Sequence, residues 1–227
     1  MENPHDGHRQ RLRERVLREG IESVEPHVAL EYLLFHTVAR ADTNPIAHRL
    51  IARFGSFSGV LEAPYEELMK VEGVGPASAA FLQMIPSLSR RYLSDKFKVG
   101  EVLDSAEKLV RFFVPQFVGR NNEAFLVACL DKKRKLIHCE LLMEGSPDSV
   151  PIDLRRIVEI AMRTSATAVV LAHNHPRGFA IPSISDQNTT LRIREVLRPL
   201  SIELVDHIII AMDDGVSLAE TGLLSQF

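Results

Sequence analysis

The stretch VVLAHNHPRGFAIPSISD, residues 169–186, gathers His173, His175, Ser183 and Asp186 around a proline–glycine loop. His173 and His175 stand two apart at the end of an apolar, β-branched run. Strand side chains two apart project to one side. Both imidazoles can therefore meet a single divalent cation, for which zinc is the fitting choice, with bonds of about 2.0–2.1 Å. Pro176 stops the strand, so both rings sit at a sheet edge of the kind where α/β sites lie. Asp186 is the nearest third ligand. The loop 177–182 carries Gly178 and can fold back; Ser183 then opens a helix with Asp186 in its first turn, beside the positive helix end. Ser183 and Asp186 equally fit an ordinary capping box, which needs no metal. Two same-face histidines beside that loop have no evident packing reason, and they turn the balance toward a metal.

Two histidines and one aspartate leave a fourth tetrahedral position open, the pattern of a catalytic zinc rather than a structural one. Water there would have its pKa lowered to about 7 and become a nucleophile. The chemistry further needs a general base for the water's proton and a donor for the developing oxyanion. Ser183 can supply the donor. The base must be a carboxylate from elsewhere in the chain.

The scaffold for these groups is long enough to be self-sufficient. At 227 residues, with 45% hydrophobic and 25% charged content, the chain suits one large or two small domains. It can bury a core without disulfides or a structural metal, so a metal would serve chemistry. A net charge of −3 gives no overall pull toward nucleic acid or anionic membrane. Cys129 and Cys139 flank a charged turn, but without a signal peptide no disulfide is expected and the cytoplasm is the default compartment. The apolar runs fall far short of a membrane span.

Residues 1–93 read as a small helical bundle. Leu12, Val16 and Leu17 recur at helical spacing, as do Val28, Ala29, Tyr32, Leu33 and Leu34. Asn44 is expected to cap a helix with Pro45 at its first position and Gly55 past its end. The segment ELMKVEGVGPASAAFLQMI, residues 67–85, resembles a helix-hairpin-helix, a module that grips nucleic-acid phosphates without reading bases; the plain alternative is a tight packing turn. Residues 7–18 are arginine-rich but interleaved with glutamate, as a solvated helix face would be. The charged, aperiodic stretch 94–103 reads as a linker.

Residues 104–227 alternate strands and helices. Asp104 or Ser105 caps a helix through Phe113. EAFLVACLD and KLIHCELLMEG form a hairpin around residues 131–134. DLRRIVEIAMRTSA is an amphipathic helix, TAVVLAHNH a strand and ISDQNTTLRIREVLRPL a helix. ELVDHIIIAMDD and GVSLAET close the sheet as an antiparallel pair. The fold class expected is α+β in two domains, the second a mixed β-sheet flanked by helices.

The spacing His-x-His, seven residues, Ser, two residues, Asp fits residues 173–186 without a gap and resembles the JAMM (JAB/MPN) metalloprotease motif. HNHPRG…PS..D, with DHIII at 206–210, is similar to its RadC branch, as are the opening GHRQRLRERVL and the helical first half. The resemblance implies a JAB/MPN-like, cytidine-deaminase-like second domain holding one zinc on His173, His175 and Asp186, with Ser183 supporting the oxyanion. It also implies Glu123, in NNEAFLVACLD, as the catalytic base, with Glu140 and Glu144 as alternatives. The chain departs from the family at Arg177, where a serine is usual. Asp206 and His207 match a family string, yet beside three isoleucines they read as structural, and Arg155 reads as one half of a fold-holding ion pair. His138 and the N-terminal histidines have no ligand spacing.

The function expected is a zinc-dependent hydrolase acting on a peptide or isopeptide bond of a peptide or protein substrate. The alternative is a DNA-binding, repair-associated protein whose helical half contacts DNA non-specifically and whose metal domain is structural or partner-binding. A metal-dependent nuclease comes third, because such enzymes more usually pair two metals about 4 Å apart. The sequence assigns neither a particular substrate nor an oligomeric state.

Overall fold

A computed structural model describes residues 4–97, 99–145, 152–176 and 178–222. Arg177 lies outside these described residues. The chain divides into two compact units, Met1–Leu88 and Ser89–Phe227.

The first unit contains α1 (Pro4–Glu19), α2 (Pro26–Leu34), α3 (Asn44–Phe54), α4 (Phe57–Leu61), α5 (Tyr65–Leu68) and the greater part of α6 (Pro76–Ser94). Helices α2, α3 and α6 each open on or beside a proline, whose missing N–H costs nothing in a first turn. Their inward faces supply Leu30, Leu34, Leu50 and Leu82, and α5 adds Leu68, all fully buried. From α1, Leu12 and Val16 pack with Ala29 and Phe35. Leu17, expected to join them, is 81% exposed, because a one-residue step turns it away from the face that Val16 occupies. Asn44 does not cap α3. Thr43 stands at the cap position without a side-chain bond, while Asn44 Nδ2 donates to Glu31 Oε2 at 2.8 Å. Glu31 is 2% exposed, and a buried carboxylate needs such partners more than a helix end needs its cap. Gly55 does end α3, at φ 82°. In the 67–85 segment, Gly73 turns the chain at φ 90°, and a Cβ there would meet Ile46 at 2.8 Å; only glycine suits both demands.

In the second unit, α7 (Ala106–Phe113) begins at Ser105, whose hydroxyl accepts the Lys108 N–H. Then follow β1 (Ala124–Leu130), β2 (Leu136–Glu144), α8 (Leu154–Arg163), β3 (Ala168–Asn174), α9 (Ile184–Leu197), β4 (Glu203–Ala211) and β5 (Asp214–Ser217). The sheet order is β2-β1-β3-β4-β5. The β3–β4 pair, joined across α9, is parallel and the other pairs are antiparallel, so the expected mixed sheet forms. The stretch 94–103 begins on the last residue of α6. Further along it, Gly100 N–H donates to Leu136 O and Leu103 N–H to Arg134 O, which ties it to the start of β2.

Both faces of the sheet are covered. Leu126, Ala128, Val170, Ala172 and Ile208 pack on Phe112 and Phe113 of α7. On the other face, Phe125, Val127, Val169 and Leu171 pack on Ile157 and Ile160 of α8 and on Ile193 and Leu197 of α9. Burial on two sides accounts for the unbroken apolar runs of β1 and β3. Arg156, rather than Arg155, fastens α8: its guanidinium donates to Leu142 O at 2.8 Å and pairs with Glu140. Among the described residues Arg155 is exposed and makes no ion pair. Cys129 and Cys139 are free thiols. No described helix is long and apolar enough to cross a membrane.

Candidate metal centre

Strand register assembles the site. Phe125 pairs with His173 across β1–β3, and Leu171 pairs with His207 across β3–β4. Cross-strand partners share a face, and so do residues two apart. Glu123, Phe125, His173, His175 and His207 therefore all fall on the side covered by α8 and α9. The Phe125 ring stacks on His173 at 5.8 Å, nearly coplanar at 11°, and holds the imidazole edge toward the first turn of α9.

Three groups converge there. His173 Nε2 lies 2.9 Å from His175 Nε2 and 3.2 Å from Asp186 Oδ1, and His175 Nε2 lies 3.6 Å from Asp186 Oδ2. The three form a cluster able to hold a metal ion. Each is supported from behind. His175 Nδ1 is 3.0 Å from Phe179 O; a carbonyl only accepts, so Nδ1 carries a proton and Nε2 is the nitrogen that faces the cluster. Asp186 is aimed by the capping box at the start of α9. Ser183 N–H donates to Oδ2 at 2.8 Å while Ser183 Oγ accepts from Asp186 N–H at 3.1 Å, which leaves Oδ1 turned to the histidines. The cap and the ligand geometry that compete in the sequence are one arrangement.

The electrostatics follow from these contacts. Burial works to raise the Asp186 pKa, but hydrogen bonds from His173 and His175 outweigh it and hold the carboxyl well below the usual carboxylate range. The hydrogen bond to Asp186 raises His175 above the ordinary histidine value, against its partial burial. His207, fully buried, is driven well below that value by desolvation and then by its neighbour His173.

Beside the cluster opens a cavity of about 270 Å³ whose lining includes Glu123, Phe125, Met143, Leu154, His173, Asp186 and Arg192. Glu123 reaches it from the residue preceding β1. The other two carboxylates are committed elsewhere: Glu140 pairs with His138, Arg156 and Arg163, and Glu144 with Arg120. Ser183 does not line the cavity; Ser185 and Thr189, further along the helix, do.

Three supporting residues escaped the sequence reading. Asn174, between the two histidines, is 4% exposed. Its Oδ1 accepts Ala124 N–H at 2.7 Å and its Nδ2 donates to Asn122 O at 3.2 Å, which fixes the segment bearing Glu123. A polar residue inside an otherwise apolar strand was the available signal, since it must find partners. Phe125 and Thr190 gave none, each being ordinary in its element. His207, read as structural, makes its contact to the cluster through His173 Nδ1, 2.8 Å from His207 Nε2. Asp206 accepts from Ser217 Oγ and Ala219 N–H and so fastens the end of β5.

A mixed sheet whose His-x-His strand end faces an aspartate on the next helix, with helices on both faces, defines a JAB/MPN-like domain. The RadC-like JAB domain family matches residues 103–223, and the chain belongs to that family. Its superfamily includes metallohydrolases.

Proposed function

We propose that this protein is a zinc-dependent hydrolase of peptide or isopeptide bonds. The observation that carries the reading is the approach of His173 Nε2, His175 Nε2 and Asp186 Oδ1 beside a cavity that also holds Glu123. The residues fit the ion. Tetrahedral zinc with bonds of about 2.0–2.1 Å has donor–donor edges of about 3.3 Å, and His173 Nε2 stands 2.9 Å from His175 Nε2 and 3.2 Å from Asp186 Oδ1. Two imidazole lone pairs facing each other at 2.9 Å repel unless a cation or proton lies between them. Zinc held by these three side chains supplies Lewis acidity to a substrate carbonyl and to water.

The remaining work falls to the chain's own groups. Glu123, which makes no ion pair among the described residues, takes the proton of the attacking water and returns it to the departing amine nitrogen. Ser183 uses its hydroxyl oxygen to accept in the cap, which leaves its O–H to donate toward the carbonyl oxygen as negative charge develops. Phe125, Met143 and Leu154 seat an apolar part of the substrate and keep bulk water from the reacting atoms.

The test is a matched pair of variants assayed for bound metal and for cleavage of peptide and isopeptide libraries. His173→Ala is expected to lose zinc and activity together, and Glu123→Gln to keep one zinc per chain while turnover falls about 10²–10⁴-fold. Full activity in Glu123→Gln would move the base to another residue. A DNA-binding role for the helical unit has weaker support, because several of its cations are already held in ion pairs. Arg53 and Lys70 both pair with Glu67, and Arg15 pairs with Glu19 and Glu25, so fewer remain to displace counterions from phosphates.

A further inference from the structure

We propose that Thr190 and His207 form a polarised hydrogen-bond relay that locks His173 in the tautomer able to bind metal, which makes both of them positioning residues of the centre. The inference rests on the metal reading above.

The polarity is set at the far end of the relay. Thr190 Oγ1 lies 2.5 Å from Asp186 O, one helical turn back, and 2.6 Å from His207 Nδ1. A hydroxyl has one hydrogen, and the carbonyl can only accept. Thr190 therefore donates to Asp186 O. Were its hydrogen turned to His207 instead, two bare oxygens would face each other at hydrogen-bond distance. With that hydrogen spent, Thr190 can only accept from His207, so His207 carries its proton on Nδ1. A second proton would place a full charge on a ring that is 0% exposed and hydrogen-bonded to no carboxylate, an arrangement that burial disfavours strongly. His207 Nε2 is then a bare acceptor, 2.8 Å from His173 Nδ1. His173 must donate to it from Nδ1, which makes Nε2, 3.2 Å from Asp186 Oδ1, the nitrogen offered to a metal.

Metal-binding histidines usually fix their tautomer by donating the second ring N–H to a carboxylate, a carbonyl or water. Here the immediate acceptor is another imidazole, and the carbonyl stands two groups further on. The relay starts on the backbone of Asp186 and ends on His173, so the helix that supplies one ligand also orients another. That gives His207, between an apolar strand and α9, a role beyond packing.

The test uses the full-length, metal-free protein labelled with ¹⁵N-histidine. Two-bond ¹H–¹⁵N correlation spectra near neutral pH read which ring nitrogen carries the proton. His173 and His207 are both expected as Nδ1–H; His173 found as Nε2–H would overturn the relay. Thr190→Val keeps the side-chain shape and removes the hydroxyl. It is expected to switch both rings to Nε2–H and to weaken zinc binding, measured by chelator competition, about 10–100-fold. Thr190→Ser, which restores the hydroxyl, should recover both. Wild-type zinc affinity in a folded Thr190→Val protein would sink the proposal, and should that variant not fold, the wild-type spectrum alone decides. A wild-type chain with the expected tautomers that binds no zinc would remove the metal reading and leave the relay standing.

Discussion

At the scale of single residues, the site separates groups that act from groups that hold them. Asn174 belongs to the second kind. Replacing it with alanine strands the buried Ala124 N–H and releases the carbonyl of Asn122, at about 1–3 kcal/mol for a buried group left unsatisfied. The loss should register twice in Asn174→Ala: a lower melting temperature, and reduced turnover with zinc affinity nearly unchanged, because Glu123 is displaced while the three ligands are not. A variant that loses metal as readily as His173→Ala would instead place Asn174 in support of the histidines. The ligands themselves were legible in the sequence because period-two alternation sets two histidines on one face whatever surrounds them. Asn174 and Thr190 were not, because their roles depend on backbone groups of residues 122–124 and on the His207 ring of β4, contacts that no local pattern encodes.

At the scale of elements, the first turn of α9 is the joint on which the centre depends. The helix start, the strand ends and the sheet class could be read from apolar periodicity and capping residues. The inward choice between Val16 and Leu17 could not, and neither could the use of Asn44 on Glu31 instead of on its own helix, because each was settled by a tertiary partner. In Ser183→Ala the capping bond to Asp186 N–H is lost, at about 0.5–2 kcal/mol of helix stability. The backbone N–H of residue 183 still reaches Asp186 Oδ2, so the carboxylate is loosened rather than freed. Zinc affinity is therefore expected to fall modestly and turnover more steeply, the excess measuring the hydroxyl's role toward the substrate oxygen. Equal proportional losses in affinity and turnover would reduce Ser183 to a cap.

At the scale of the whole molecule, three groups of the centre link folding to pH with different signs. His207 has a folded pKa well below its ordinary 6.5, so below that value the unfolded chain takes up a proton that the folded chain refuses. Its contribution to stability is present above about 6.5 and is lost as pH falls. His175 has a raised folded pKa; its contribution is full below the unfolded value and is lost as pH rises through the raised one. Asp186, held low, contributes above the ordinary carboxylate range and loses that contribution only in acid. The two histidine contributions oppose one another as pH drops from 7 to 5. His175→Ala removes the proton uptake that offsets His207, so the metal-free variant should lose melting temperature across that range more steeply than the wild-type protein. Zinc reverses the part His175 plays, since its Nε2 must shed a proton to bind the ion. The rise in melting temperature on adding a fixed excess of zinc should accordingly grow from pH 6 to pH 8, as binding to the folded state tightens. Thermal scans with and without the ion measure both effects. A zinc-induced shift that stays constant across that range would mean that no ligand proton is displaced, and that His175 is not among the groups holding the metal.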